Sequence, residues 1–312
     1  MKGGGKLEQP TNILQKKKSW RNTVEAFIPK FLLICALLSV FTTVGIILTL
    51  LLETAGFFEK VPFLDYITGT TWTALFNGAQ QKFGVLPLLS GTLLVTAGAA
   101  IVALPIGLGS AIYLSEYAPE RVRQMIKPIL EILAGIPTIV YGFFAITLVT
   151  PFLRSFLPQL NFFNALSASI VVGIMIIPMI ASLSEDAMRS VPKNIREAAY
   201  GLGSTKLEVA LKIVVPAAFS GIVSSFVLAL SRAIGETMIV TIAAGSNPIF
   251  TFDPTSTIQT MTGFMVQAAM GDITYESLSY KAIYAVGMTL FLFTFLMNML
   301  AQYISRRFKE EY

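Results

Sequence analysis

The feature that most constrains this chain is the run at residues 31–52, which is apolar throughout and carries no charged side chain. It exceeds the roughly 20 residues that a helix needs to cross the hydrocarbon core of a bilayer. Five further apolar runs follow, at 85–114, 132–153, 165–184, 217–245 and 282–304, and only the fifth is interrupted by charge, at Arg232 and Glu236. Lipid offers no partners for backbone N–H and C=O groups, so such runs must be helices. The expected fold is all-α, a polytopic membrane protein with six transmembrane helices. Composition agrees: 13% of residues are charged and 54% hydrophobic, with a mean hydropathy of +0.70, whereas about a quarter of a soluble domain is charged. Pro87 and Pro105 predict that the second run tilts or breaks.

The loops set an expected orientation, because Lys and Arg gather on the cytoplasmic side of short connections. Of the 23 Lys and Arg residues, only Lys60, Lys82, Arg154 and Lys281 fall in the connections that are outside if the N-terminus is inside, and Arg232 lies within a run. Both termini are therefore expected in the cytoplasm, with a basic tail at 1–30, a membrane-spanning body of six helices at 31–304 and a short tail at 305–312. The larger outer loops are 53–84 and 246–281. The run at 31–52 is too long for the apolar core of a cleaved signal peptide. A basic tail beside a span is a topology determinant drawn to anionic lipid, so the net charge of +5 points to the lipid bilayer and to no nucleic acid.

Several chemistries are excluded by residue types alone. The chain has no histidine and one cysteine, Cys35, so imidazole bases, histidine metal sites and an intrachain disulfide are absent. There is no Gly-x-x-x-x-Gly-Lys-Ser/Thr segment to cradle ATP phosphates. If transport is active, a separate ATPase drives it. The chain is expected to be no enzyme and to hold no cofactor or metal.

The loop at 185–216 reads as two short helices. Pro192 suits a helix start, Gly201 or Gly203 a helix end at positive φ, and Thr205 with Glu208 a capping box for the second helix. Such a pair would present an apolar knob that includes Leu202 and Leu207.

Within that loop Glu197-Ala198-Ala199, Gly203, Ile213, Val215 and Pro216 resemble the EAA loop of type I ABC importer permeases. Three other stretches are similar to phosphate permeases of that class. They are Ser90-Gly91-Thr92-Leu93-Leu94-Val95-Thr96 leading to Ser115-Glu116-Tyr117-Ala118-Pro119, then Leu130 to Gly142, then Arg232-Ala233-Ile234-Gly235-Glu236-Thr237-Met238. The Glu236-Thr237-Met238 ending of the last, with Ser115-Glu116-Tyr117-Ala118-Pro119, favours the PstC type over its PstA-type partner. The resemblance implies the MetI-like permease fold with a core at 85–304, and coupling to an ATPase through Glu197, Ala198, Ala199, Leu202, Gly203 and Leu207. It also implies the partners: a related permease (PstA type), an ATPase dimer (PstB type) that binds ATP and Mg, and an extracytoplasmic binding protein (PstS type) delivering phosphate.

Arg232 falls near the middle of the fifth run at a rise of 1.5 Å per residue. A charge there costs roughly 2.5–3.5 kcal/mol on insertion scales, so it should face protein or water and have a partner. Glu236, four residues on, is the expected counter-ion on the same helix face. A guanidinium offers a tetrahedral oxyanion fixed parallel donors. The matching Arg and Glu are implicated in translocation in phosphate permeases, so the resemblance makes Arg232, Glu236 and Thr237 the expected substrate pathway, the alternative being a static ion pair that orients the helix. Two alternatives remain open from sequence: the same architecture moving sulfate, molybdate or tungstate, and an ion-coupled secondary transporter, for which no internal repeat is evident. Gly91, Gly98, Gly107 and Gly109 read as packing positions.

Overall fold

The computed structural model describes residues 20–76, 78–275 and 277–307. The expected tails at 1–30 and 305–312 fall outside these over residues 1–19 and 308–312. The chain divides into two units, Met1–Thr49 and Leu50–Tyr312. Helix α1 (Trp20–Phe58) starts ahead of the apolar run and passes through Pro29. In its apolar stretch Thr42, Thr43 and Thr49 donate back to the carbonyls of Leu38, Ser39 and Gly45. This satisfies hydroxyls that lipid would leave unpaired.

The second unit continues with α2 (Phe63–Thr68), α3 (Leu86–Ile112) with a π-helical turn at Tyr113–Tyr117, and α4 (Glu120–Gly135). Helices α5 (Thr138–Phe144) and α6 (Thr150–Phe156) join through a second π turn, and α7 (Ala165–Arg189) follows. Next come α8 (Lys193–Gly201), α9 (Lys206–Val209), a third π turn, α10 (Val215–Ala217), α11 (Phe219–Ile234) and α12 (Met238–Ala243). The chain closes with α13 (Met261–Met270) and α14 (Leu278–Arg307). Among the described residues five stretches are long and apolar enough to cross a bilayer: Phe27–Phe58, Leu86–Tyr117, Thr138–Phe156, Ala165–Arg189 and Leu278–Ser305. The helix pair Lys206–Ala217 and Phe219–Ile234 meets the same length and hydropathy only when taken together, with a bend of 73° between them.

The second run is unbroken helix, α3 running on through Pro105 while Pro87 sits in its first turn, where a missing N–H costs nothing. Three expectations need correction. The third span begins at Thr138 rather than 132. Residues 132–135 instead finish α4, which ends because Ile136 precedes Pro137 and takes extended angles (φ −65°, ψ 131°), as the proline ring demands. The fifth run is no single helix, being interrupted over residues 235–237. The loop expected from residue 185 starts later, because α7 continues to Arg189.

Helices α3 and α7 form the tightest pair. A β-carbon at Gly98 would stand 2.7 Å from Ser169, and one at Gly107 would stand 2.6 Å from Ile180 Cγ2, so the backbones approach as only small residues allow. At Gly109 no atom of this chain lies within 4 Å of where a β-carbon would stand. Around this pair Val95, Ala103, Val172, Ile176, Ala233 and Ile239 build the central core. The start and end of α3 enter two further clusters. At its start, Phe57, Tyr66, Trp72, Phe83 and Phe264 pack together, with the rings of Trp72 and Phe264 edge-on at 4.8 Å. The connections around 53–84 and 246–281 are thus packed structure. At its end, Ala111 joins Met188, Val191, Ala199 and Val209 beneath α8 and α9.

Candidate functional site

The charged interruption of the fifth span is a broken helix. Helix α11 ends at Ile234, with Gly235 as its C-cap (φ −84°, ψ 0°), and α12 restarts at Met238. Arg232 occupies the last turn of α11 and is exposed. Lysine and arginine suit that position, where the helix dipole is negative. Among the described residues no carboxylate comes within ion-pairing distance of Arg232.

Glu236 does something other than neutralise that arginine. The helix stops before it, so the four-residue spacing that would align the pair on one face is lost. Its side chain turns forward, and Oε1 accepts the amides of Met238 (3.0 Å) and Ile239 (3.2 Å). These are two of the unpaired N–H groups at the start of α12, and a carboxylate there is stabilised by hydrogen bonding and by the helix dipole together. Glu236 is buried, and its carbonyl accepts the hydroxyl of Thr262 on α13 at 2.7 Å. Thr237 is half-buried, and its hydroxyl donates to Gly235 O at 3.1 Å. The break therefore leaves Arg232 without a counter-ion among the described residues while fixing Glu236 and Thr237 in backbone duties.

The α8–α9 pair is rigid for local reasons. Pro192 is the N-cap of α8, one residue outside the first turn. Beyond α8, Gly203 takes φ +87° and its amide reaches Tyr200 O at 2.9 Å, while that of Ser204 reaches Ala199 O at 3.2 Å. The expected capping box is present, with Glu208 N–H donating to Thr205 Oγ1 at 3.4 Å and Thr205 N–H to Glu208 Oε2 at 3.0 Å. Such a cap stabilises a helix by about 1 kcal/mol. Leu202 is 89% exposed and Leu207 55%, an unusual display for two leucines on adjoining short helices. Glu197, Ala198 and Gly203 are also exposed, whereas Ala199 is buried in the cluster under the pair. Five of the six expected contact residues thus lie on the surface, and Ala199 serves the knob from beneath.

A charge cluster invisible to sequence reading sits beside this pair. Glu185, with no exposed surface, is held between two cations of α4, Arg123 Nε at 2.8 Å and Lys127 Nζ at 2.6 Å. Arg189 approaches it at 3.7 Å, and Lys127 also reaches Asp186 at 2.7 Å. Burial pushes the Lys127 ammonium down, but the carboxylates of Asp186 and Glu185 outweigh it and hold it above the usual lysine range. The only sequence signal was an apolar α7 continuing into charged residues, which marks a span end as readily as a clamp.

This architecture is shared with solved ABC importer permeases. The chain superposes with TM-score 0.64 on the bacterial alginate ABC transporter solved with its alginate-bound periplasmic protein, at 14% identity over 93% of this chain and 98% of that one. It superposes with TM-score 0.53 on the MetNI methionine ABC transporter in an inward-facing form, at 18% identity over 73% and 95%. At those identities the likeness is one of fold. Residues 103–310 match the family model of the binding-protein-dependent transport system inner membrane component, and the chain belongs to that family, among its PstC-type permeases. The PstC phosphate transport system permease protein of Mesorhizobium japonicum is 35% identical over 265 residues, covering 78% of each chain. A probable ABC transporter permease of Bacillus subtilis, YqgH, is 34% identical over 277 residues, covering 88% of this chain and 89% of that one.

Proposed function

We propose that this chain is the permease subunit through which an ATP-driven importer moves inorganic phosphate into the cytoplasm. The observation that carries the reading is Arg232: a guanidinium at the end of a broken span, exposed and with no carboxylate paired to it among the described residues. A membrane segment bears the cost of such a charge where it faces a polar path or a ligand. A planar fork of donors suits a tetrahedral oxyanion. The PstC relative named above supports phosphate as that anion. Thr237 and Glu236 shape the same break.

Energy comes from partners. The exposed Leu202 and Leu207, on a pair of helices fixed by caps, form the dock for an ATPase dimer of PstB type that binds ATP and Mg, with Glu197, Ala198 and Gly203 around them. A related PstA-type permease completes the pathway, and a PstS-type binding protein delivers phosphate from outside. The bias of Lys and Arg puts both termini and the α8–α9 pair in the cytoplasm. The chain itself performs no catalysis and holds no cofactor.

The test is uptake of labelled phosphate into liposomes holding the chain with its permease partner, ATPase and binding protein. ATP-dependent accumulation is expected, lost in Arg232→Gln although the complex assembles and binds nucleotide. Uptake of sulfate or molybdate in place of phosphate, or accumulation by the chain alone under a membrane potential, overturns the reading.

A further inference from the structure

Arg196 stands immediately before the Glu197-Ala198-Ala199 segment, and its guanidinium reaches two different spans. One terminal nitrogen donates to Val191 O at 2.6 Å, and the other to Met188 O at 2.7 Å and to Glu116 Oε1 at 3.2 Å. Met188 belongs to the last turn of α7, where its carbonyl also accepts the Val191 amide at 3.2 Å, and Glu116 lies in the π turn that ends the α3 span. Both side chains are largely buried, at 15% and 5% exposure. Helix α8 is joined covalently to α7 through a short link, but it has no covalent link to α3.

We infer that Arg196 is a positioning residue that makes α3 move with the α8–α9 knob, by pairing with Glu116. This rests on the knob being the ATPase dock. The apolar cluster under the knob also touches the end of α3, through Leu108, Ala111 and Ile112. Apolar contact, however, is non-directional and lets surfaces slide. A forked guanidinium held by two carbonyls and a carboxylate has one geometry and fixes the register. Helix α3 is also the tightest neighbour of α7, through Gly98 and Gly107, so whatever holds α8 to both ends moves the bundle core as one body. Lys206 of α9, 5.6 Å over the Tyr117 ring, adds a second and weaker tie to the same π turn.

The experiment compares ATP hydrolysed per phosphate taken up, in the complete liposome system, for wild type, Arg196→Lys and Glu116→Gln. Lysine keeps the charge but not the fork, and glutamine keeps the shape but not the charge. Both complexes are expected to assemble and hydrolyse ATP while the ratio rises at least about fivefold, the low end of ordinary coupling between sites. A side chain that matters only for stability lowers both rates together and leaves the ratio alone. A ratio within about twofold of wild type, or failure of both variants to assemble with the ATPase, overturns the inference. A wild-type system without ATP-driven phosphate uptake would instead refute the proposed function.

Discussion

Lys127 Nζ lies 2.6 Å from Glu185 Oε2, and that glutamate has no exposed surface. The pair ties the amphipathic helix α4 to the end of α7. Removing the carboxylate takes the buried partner from both cations, leaving Arg123 with Glu120 and Lys127 with Asp186, and breaking a buried pair from one side costs about 3 kcal/mol. Glu185→Ala should therefore lower the thermal stability of the purified complex sharply. Glu120→Ala removes pairs at 3.0 and 3.8 Å from a carboxylate that is 60% exposed, and should cost less than about 1 kcal/mol. Equal losses would show that burial does not govern this cluster.

The same tie has a defined pH response. Its lysine is held above the ordinary value of about 10.4, so its stabilisation is complete below that value and fades as pH rises through the higher folded one. The difference in melting temperature between wild type and Lys127→Met should stay constant between about pH 7 and pH 9 and shrink only in stronger alkali. A difference that falls away within the neutral range would contradict this.

Gly203 has no neighbouring atom within 4 Å of where a β-carbon would go, so its requirement is its φ of +87°. Gly203→Val should cost about 1–2 kcal/mol of local strain and reduce co-purification of the ATPase. Gly203→Asn, which tolerates that region, should keep more of both. Normal ATPase recovery and uptake with valine would make the α8–α9 turn a mere connector.

Because Glu236 caps α12, its variants should separate by hydrogen-bonding capacity. Glu236→Gln retains an acceptor for Met238 and Ile239 and should preserve assembly with reduced uptake. Glu236→Ala leaves two amides uncapped, a loss of about 1 kcal/mol, and should impair both. The exchange Arg232→Glu with Glu236→Arg should restore nothing, since a guanidinium cannot accept an N–H. Full uptake in the exchanged form would re-establish a simple ion pair.

Much of this protein is local and therefore legible in its sequence. Runs of apolar residues must be helices in lipid whatever surrounds them, so the membrane-spanning helices follow from 31–52 and its successors, while the permease fold was implied by the resemblance of the 185–216 loop and three further stretches. Gly203 and the Thr205–Glu208 box also act within a few residues, and both occur where the pattern places them. What the tertiary structure decided involves partners distant in sequence or a helix that stops. Glu236 was expected opposite Arg232 because uninterrupted helix geometry puts residues four apart on one face, and the end of α11 at Ile234 removes that premise. Residues 132–135 are as apolar as a span, yet Arg123 and Lys127 of the same helix are drawn to Glu185 on α7, and Pro137 ends that helix before the span begins. Ala199 turns inward because a cluster from α3, α7 and α9 covers it. Hydrophobicity and capping are properties of a segment, whereas a counter-ion is a property of whatever the fold brings near, and only the packed bundle specifies that.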